Sequence, residues 1–151
     1  MFHLINEDHK KDLYDILSDR INLAENLNNL VEKIRSDIPE KKRISYGRYS
    51  ILKKMGPMIA EILNEDKLFM TGQDLFKIAN NEFIRSLGIQ LISIYAIETD
   101  NPDRVLPMIR RAAADASWEV RECSAGFVRK LVWKYPDKMH NWYLKLVKSD
   151  N

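Results

Sequence analysis

Apolar residues recur at spacings of three and four through most of the chain, the period of a helix face rather than of a strand. Leu13, Ile16, Leu17, Ile21, Leu23, Leu27, Leu30, Val31 and Ile34 follow it through the first third. Asp37-Ile38-Pro39 closes that run, because the residue before a proline is pushed out of the α region. A charged link over residues 40–43 leads to a second helical stretch, about 45–63, with Ile51, Leu52, Met55, Ile59 and Ile62 on one face. Gly56-Pro57 inside it predicts a kink or two shorter helices. Residues 64–72 read as a connector, and 73–80 as a short helix.

Residues 82–98 are apolar on nearly every side, which predicts a central, buried helix capped by Asn80-Asn81. A buried strand over 89–97 is the alternative, although it would have no partner in a chain otherwise helical. Pro102 suits the first turn of the next helix, with Val105, Leu106, Ile109, Ala112 and Ala113 as its stripe. Asp115-Ala116-Ser117 breaks the chain and offers Ser117 as a simple cap for a helix over 118–135. Pro136-Asp137 opens the last helix, which carries Met139, Trp142, Tyr143, Leu146 and Val147.

Composition narrows the class. A chain of 151 residues fits one domain, and its five glycines and five prolines argue against a turn-dense β fold. The 24 basic and 22 acidic residues leave a net charge of +2, so a nucleic-acid partner would need a local stripe of charge. Cys123 is the only cysteine, which rules out a disulfide within the chain and fits a reducing cytoplasm. The polar N-terminus is not a signal peptide, and residues 83–97 are too short and too polar to span a bilayer. His3, His9 and His140 share no ligand spacing with each other or with Cys123, so no metal and no cofactor is expected. There is no Gly-rich phosphate loop and no serine elbow.

A repeat is legible near the C-terminus. Shifting Pro102-Asp103 by 34 residues lands on Pro136-Asp137, and Val105, Met108, Ile109, Ala112 and Ala113 land on Met139, Trp142, Tyr143, Leu146 and Val147. Ile84-Arg85 is echoed by Val120-Arg121, each pair opening a helix after a polar cap. Two helices per unit of this length are the mark of an α-solenoid, although two amphipathic helices of equal length would also align. The expectation is an all-α chain, one HEAT-like repeat domain over residues 1–151 folded as a curved α-α superhelix. Trp142, Tyr143 and Leu146 then lack a covering helix, which predicts either a longer solenoid or self-association through these residues.

The string from Ala114 through Ser117-Trp118-Glu119-Val120-Arg121 to Glu122, with Tyr135-Pro136-Asp137 after it, resembles the DNA alkylation repair family of HEAT-like proteins. Residues 45–54, which carry Tyr46-Gly47 and lead into a helix, are similar to an aromatic-Gly segment near that family's N-terminus. The resemblance implies a curved helical stack that grips duplex DNA through its backbone and excises alkylated bases without a metal. It also implies an aromatic residue and a carboxylate one helical turn apart at the cleft, here Trp118 and Glu122. An aromatic can contact a cationic lesion, and a carboxylate can stabilise the charge that develops on the sugar as the base leaves.

Each candidate has a structural alternative. Trp118 could pack between repeats, with Glu122 in a surface ion pair. Arg110, Arg111, Arg121, Arg129, Lys130 and Lys134 could form a phosphate-contacting stripe or ordinary solvated faces. Cys123 reads as a small buried residue rather than a nucleophile. Three functions follow: a duplex-DNA-binding protein with base excision through Trp118 and Glu122, a non-catalytic scaffold for a protein partner, and a family member that binds nucleic acid without cutting it. Convergence of the six cations on one concave face would favour DNA, and their dispersal would favour the scaffold.

Overall fold

A computed structural model describes residues 1–78 and 80–149, and no strand occurs among them. The chain is all-α, as the apolar period predicts. Eight α-helices follow in order: α1 Glu7–Ser18, α2 Leu23–Asp37, α3 Arg48–Ile62, α4 Glu65–Phe76, α5 Glu82–Glu98, α6 Leu106–Ala113, α7 Trp118–Lys134 and α8 Pro136–Ser149. A 3-10 helix, Glu40–Ser45, joins α2 to α3.

The first apolar run divides into two helices. Asn22 adopts a left-handed backbone with φ of 56°, a conformation asparagine tolerates better than most residues, and the chain reverses there. The start of α1 then meets the end of α2. His9 is buried, accepts from the Asn6 N–H through Nδ1, and so donates through Nε2 to Asp37 at 2.7 Å. Its place is structural, closing the cap of α1 and pinning α2.

Two further boundaries differ from expectation. At Gly56-Pro57 the chain does not divide into two shorter helices, since both residues lie in one helix, α3. Residues 65–72 are helix rather than connector: Asn64 caps α4 by accepting from the Lys67 N–H at 2.9 Å, Thr71 is fully buried, and Arg20 donates to its hydroxyl at 2.7 Å. Tertiary packing overrides the weak helix preference of Thr71-Gly72. Pro102 lies in a turn, and α6 begins four residues later at Leu106 with Pro107 in its first turn.

The centre of the molecule is α5. Asn81 caps it, accepting from the Ile84 N–H at 3.0 Å, and it is buried on nearly all sides. It packs most extensively against α4, then against α7 and α3. The α4–α5 crossing is close because glycines face each other: a Cβ on Gly88 would lie 2.6 Å from the Gly72 carbonyl oxygen. Helices α3, α5 and α7 run in the same direction. Their starts meet where the Tyr49 and Phe83 rings lie 6.0 Å apart and the Tyr49 hydroxyl reaches Glu119, and near the far end Lys134 donates to Ile97 O.

Successive helix pairs are tied at a regular interval. Ser117 donates to Glu82, Tyr135 to Asp100 and Lys138 to Asp103, each across 35 residues. The echo between Arg85 and Arg121 is also structural, since both reach back to carbonyls of the preceding turn, Arg85 to Ile78 and Arg121 to Asp115. The end of the aligned repeat, Asp150-Asn151, lies outside the described residues.

Candidate functional site

The stripe Glu119, Glu122, Cys123, Gly126, Phe127 and Lys130 repeats at three and four residues, so α7 presents it on one face. That face forms one wall of an open groove of about 860 Å³. The other wall is α3, through Tyr49, Leu52, Lys53 and Pro57, and the floor is α5, through Gln90, Ser93, Ile94 and Ile97. The lining is mostly apolar, and the size is that of a site for side chains or a small ligand.

Trp118 and Glu122 both line this groove. Trp118 is 65% exposed at its mouth and does not pack between repeats. Ser117 does not cap α7 with its side chain; its hydroxyl donates to Glu82 at 2.7 Å instead, and its N–H donates to Asp115. At the same end the Tyr49 hydroxyl donates to Glu119 at 2.9 Å. Burial and that carboxylate push the Tyr49 hydroxyl well above its usual range, so it remains a proton donor at neutral pH. The bond from the Ser117 hydroxyl holds Glu82 below the usual carboxylate value.

The six cations separate. Arg129 and Lys130 line the groove, joined by Lys53 from α3. Arg110 and Arg111 line a different depression, about 660 Å³ between α6 and α8, with the half-buried Trp142 and Leu146. Arg121 points away from the groove and donates to Asp115 O and Ala116 O. Lys134, one turn beyond Lys130, donates to Ile97 O and lies 5.7 Å from the Tyr135 ring. Tyr143 is exposed on α8.

Residues that the sequence did not single out complete the site. Gln90 is only 5% exposed, lines the floor, and its Oε1 has no hydrogen-bond partner among the described residues. An amide inside an otherwise apolar helix was the available signal, since buried polar groups are normally paired. Gly126 faces open space in the groove, with nothing within 4 Å of where a Cβ would stand.

Cys123 is half-buried in the same wall rather than sealed in the core. Burial pushes its thiol up, and Glu119 and Glu122 add to the shift. The protonated thiol is a poor nucleophile at neutral pH. Alkylation by iodoacetamide should therefore run slower at pH 8 than that of an unperturbed cysteine, and should accelerate as pH rises further. A rate at pH 7 matching a free thiol would contradict this.

Among the described residues no group of three or more His, Cys, Asp or Glu is placed to hold a metal ion, and no helix is long and apolar enough to cross a membrane. Comparison with protein families, with curated proteins and with solved structures found no match for this chain.

Proposed function

We propose that the protein is a HEAT-like scaffold that binds a segment of a partner protein in the groove between α3, α5 and α7. The observation that carries this reading is the groove itself: a mostly apolar trough, open to solvent, with charges of both signs on its rim. Apolar walls with a few placed polar groups suit side chains docking from a partner. A phosphate-binding wall would need its cations together, and here Arg110 and Arg111 line another depression and Arg121 turns to backbone carbonyls, apart from Arg129, Lys130 and Lys134. The ties across 35 residues support reading the helix pairs as stacked HEAT-like units.

A photoreactive cross-linker attached to Cys123 tests this. In cell extract it should couple to a discrete peptide of another protein, and Gly126→Leu, which fills the groove, should abolish the product. Coupling that is indifferent to Gly126→Leu would count against the groove.

A second reading has its own support. Trp118, Glu122, Arg129 and Lys130 share the groove, and Trp118 is open to solvent, as base excision of the DNA alkylation repair type would need. Trp118 would then contact the cationic base and Glu122 would stabilise the sugar cation. On this reading duplex affinity falls steeply across a salt series, and a methylated base is released by the wild type but not by Glu122→Gln. Duplex binding without release would leave a protein that binds nucleic acid and does not cut it. Absence of duplex binding at low salt removes this reading.

A further inference from the structure

We propose that the occupant of the groove is an amphipathic α-helix about three turns long, antiparallel to α3, α5 and α7, acidic in its first turn and basic in its last. This rests on the scaffold reading above. The length follows from α7, where Glu119 and Lys130 bound the groove and stand about 16 Å apart at 1.5 Å per residue.

The walls argue for a helix. All three are helices whose backbone groups are bonded within themselves, apart from the Lys53 carbonyl, to which Pro57 has no N–H to donate, so they present no continuous edge to an extended peptide. An extended segment would lose water from its own N–H and C=O groups and gain nothing in return. A helix arrives with those groups satisfied and presents only side chains.

The rim sets direction and charge. Glu119 and Glu122 lie toward the start of α7, and Arg129 and Lys130 toward its end. No ion pair within the described structure involves Glu122, Arg129 or Lys130. A helix is most stable with acidic residues in its first turn and basic residues in its last. Laid antiparallel to α7, such a helix brings its basic end to Glu122 and Trp118, and its acidic end to Arg129 and Lys130. Its macrodipole then opposes those of the three helices beneath it. Laid parallel, it would place its basic turn against Arg129 and Lys130 and its acidic turn against Glu119 and Glu122, with Lys53 alone to offset them.

Gly126 leaves space near the middle of the groove that an apolar side chain of the occupant fills.

A displayed library of helical peptides of about 14 residues, with all positions varied, is the test. Binders of the wild type are counted only when Gly126→Leu loses them and when they slow alkylation of Cys123. Gly126→Leu must first match the wild type in circular dichroism and melt no lower than it, which the open space at Gly126 permits. The expected consensus has apolar residues at i, i+3 or i+4, and i+7, an acidic first turn and a basic last turn. The double variant Glu122→Lys, Lys130→Glu should bind the selected peptide about tenfold more weakly and favour a peptide with its end charges exchanged. Groove binders without this charge polarity, or with the reverse, would overturn the inference and leave the scaffold reading standing. A library with no binder that is sensitive to Gly126→Leu would overturn the inference, and the scaffold reading falls with it only if the cross-link from Cys123 is also indifferent to Gly126→Leu.

Discussion

Gly88→Ala should destabilise the protein by about 1–2 kcal/mol, although alanine is the better helix former. The added Cβ would lie 2.6 Å from Gly72 O and 2.6 Å from Phe76 N. Both are backbone atoms of α4, so no side chain can rotate to make room. Helix α4 must move off α5, its most extensive neighbour, and overpacking of this kind costs about 1–3 kcal/mol or more. The propensity gain of alanine over glycine, about 1 kcal/mol, offsets only part of it. At 2–4 °C per kcal/mol for a chain of this size, the thermal midpoint should fall by roughly 2–8 °C. Gly126→Ala is the matched control: with open space at its Cβ it should gain up to about 1 kcal/mol. Urea denaturation of the two variants side by side checks this, and equal stabilities would show that the glycine contact is not tight.

Arg85→Ala is the second large effect, a loss of about 3 kcal/mol at pH 7. Arg85 in α5 grips Asp115 through two bonds, Nε at 3.1 Å and Nη2 at 3.0 Å, and donates to Ile78 O. The two side chains are only 13% and 11% exposed, so the variant would leave a carboxylate desolvated without its cation. Burial alone would raise the Asp115 carboxyl, but the bonds from Arg85 and the Ser117 N–H, with the charges of Arg85 and Arg121, outweigh it and hold the group below its usual value.

The pH dependence follows from that direction. A carboxyl depressed on folding contributes stability that is present above the unfolded value, 3.8, and lost as pH falls through the lower folded value. The gap between wild type and Arg85→Ala should therefore be widest near neutrality and narrow below about pH 4. A gap of constant width from pH 7 to pH 3 would mean that the pair is not the cause. Because Asp115 also holds the Ser117 N–H at the start of α7, the emission of the exposed Trp118 should change in the variant.

Where local rules were sufficient, the chain was readable as a string. The asparagine before Glu82 did cap α5, and the all-round apolar character of that helix did mean burial, because a cap and an azimuth are properties of neighbouring residues. The one-turn spacing of Trp118 and Glu122 likewise placed them on one face of α7. Reading failed where packing outvotes propensity. Thr71-Gly72 looks like a break, and it is helix because α5 lies close against it. The split at Asn22 was hidden by an apolar period that continues across it.

The amino-acid order by itself determined the all-helical class, the cap of α5, and which residues of each helix share a face, since all of these follow from contacts within about one turn. Only the tertiary structure decided that Tyr49, Lys53 and Gln90 stand opposite Glu122 and Cys123, and that Arg121 and Lys134 turn to carbonyls while Arg129 and Lys130 face the groove. Helical periodicity gives the direction of a side chain relative to its own axis. The angle and distance at which α3 and α7 meet α5 come from side chains far apart in the chain, and those set which face is left open.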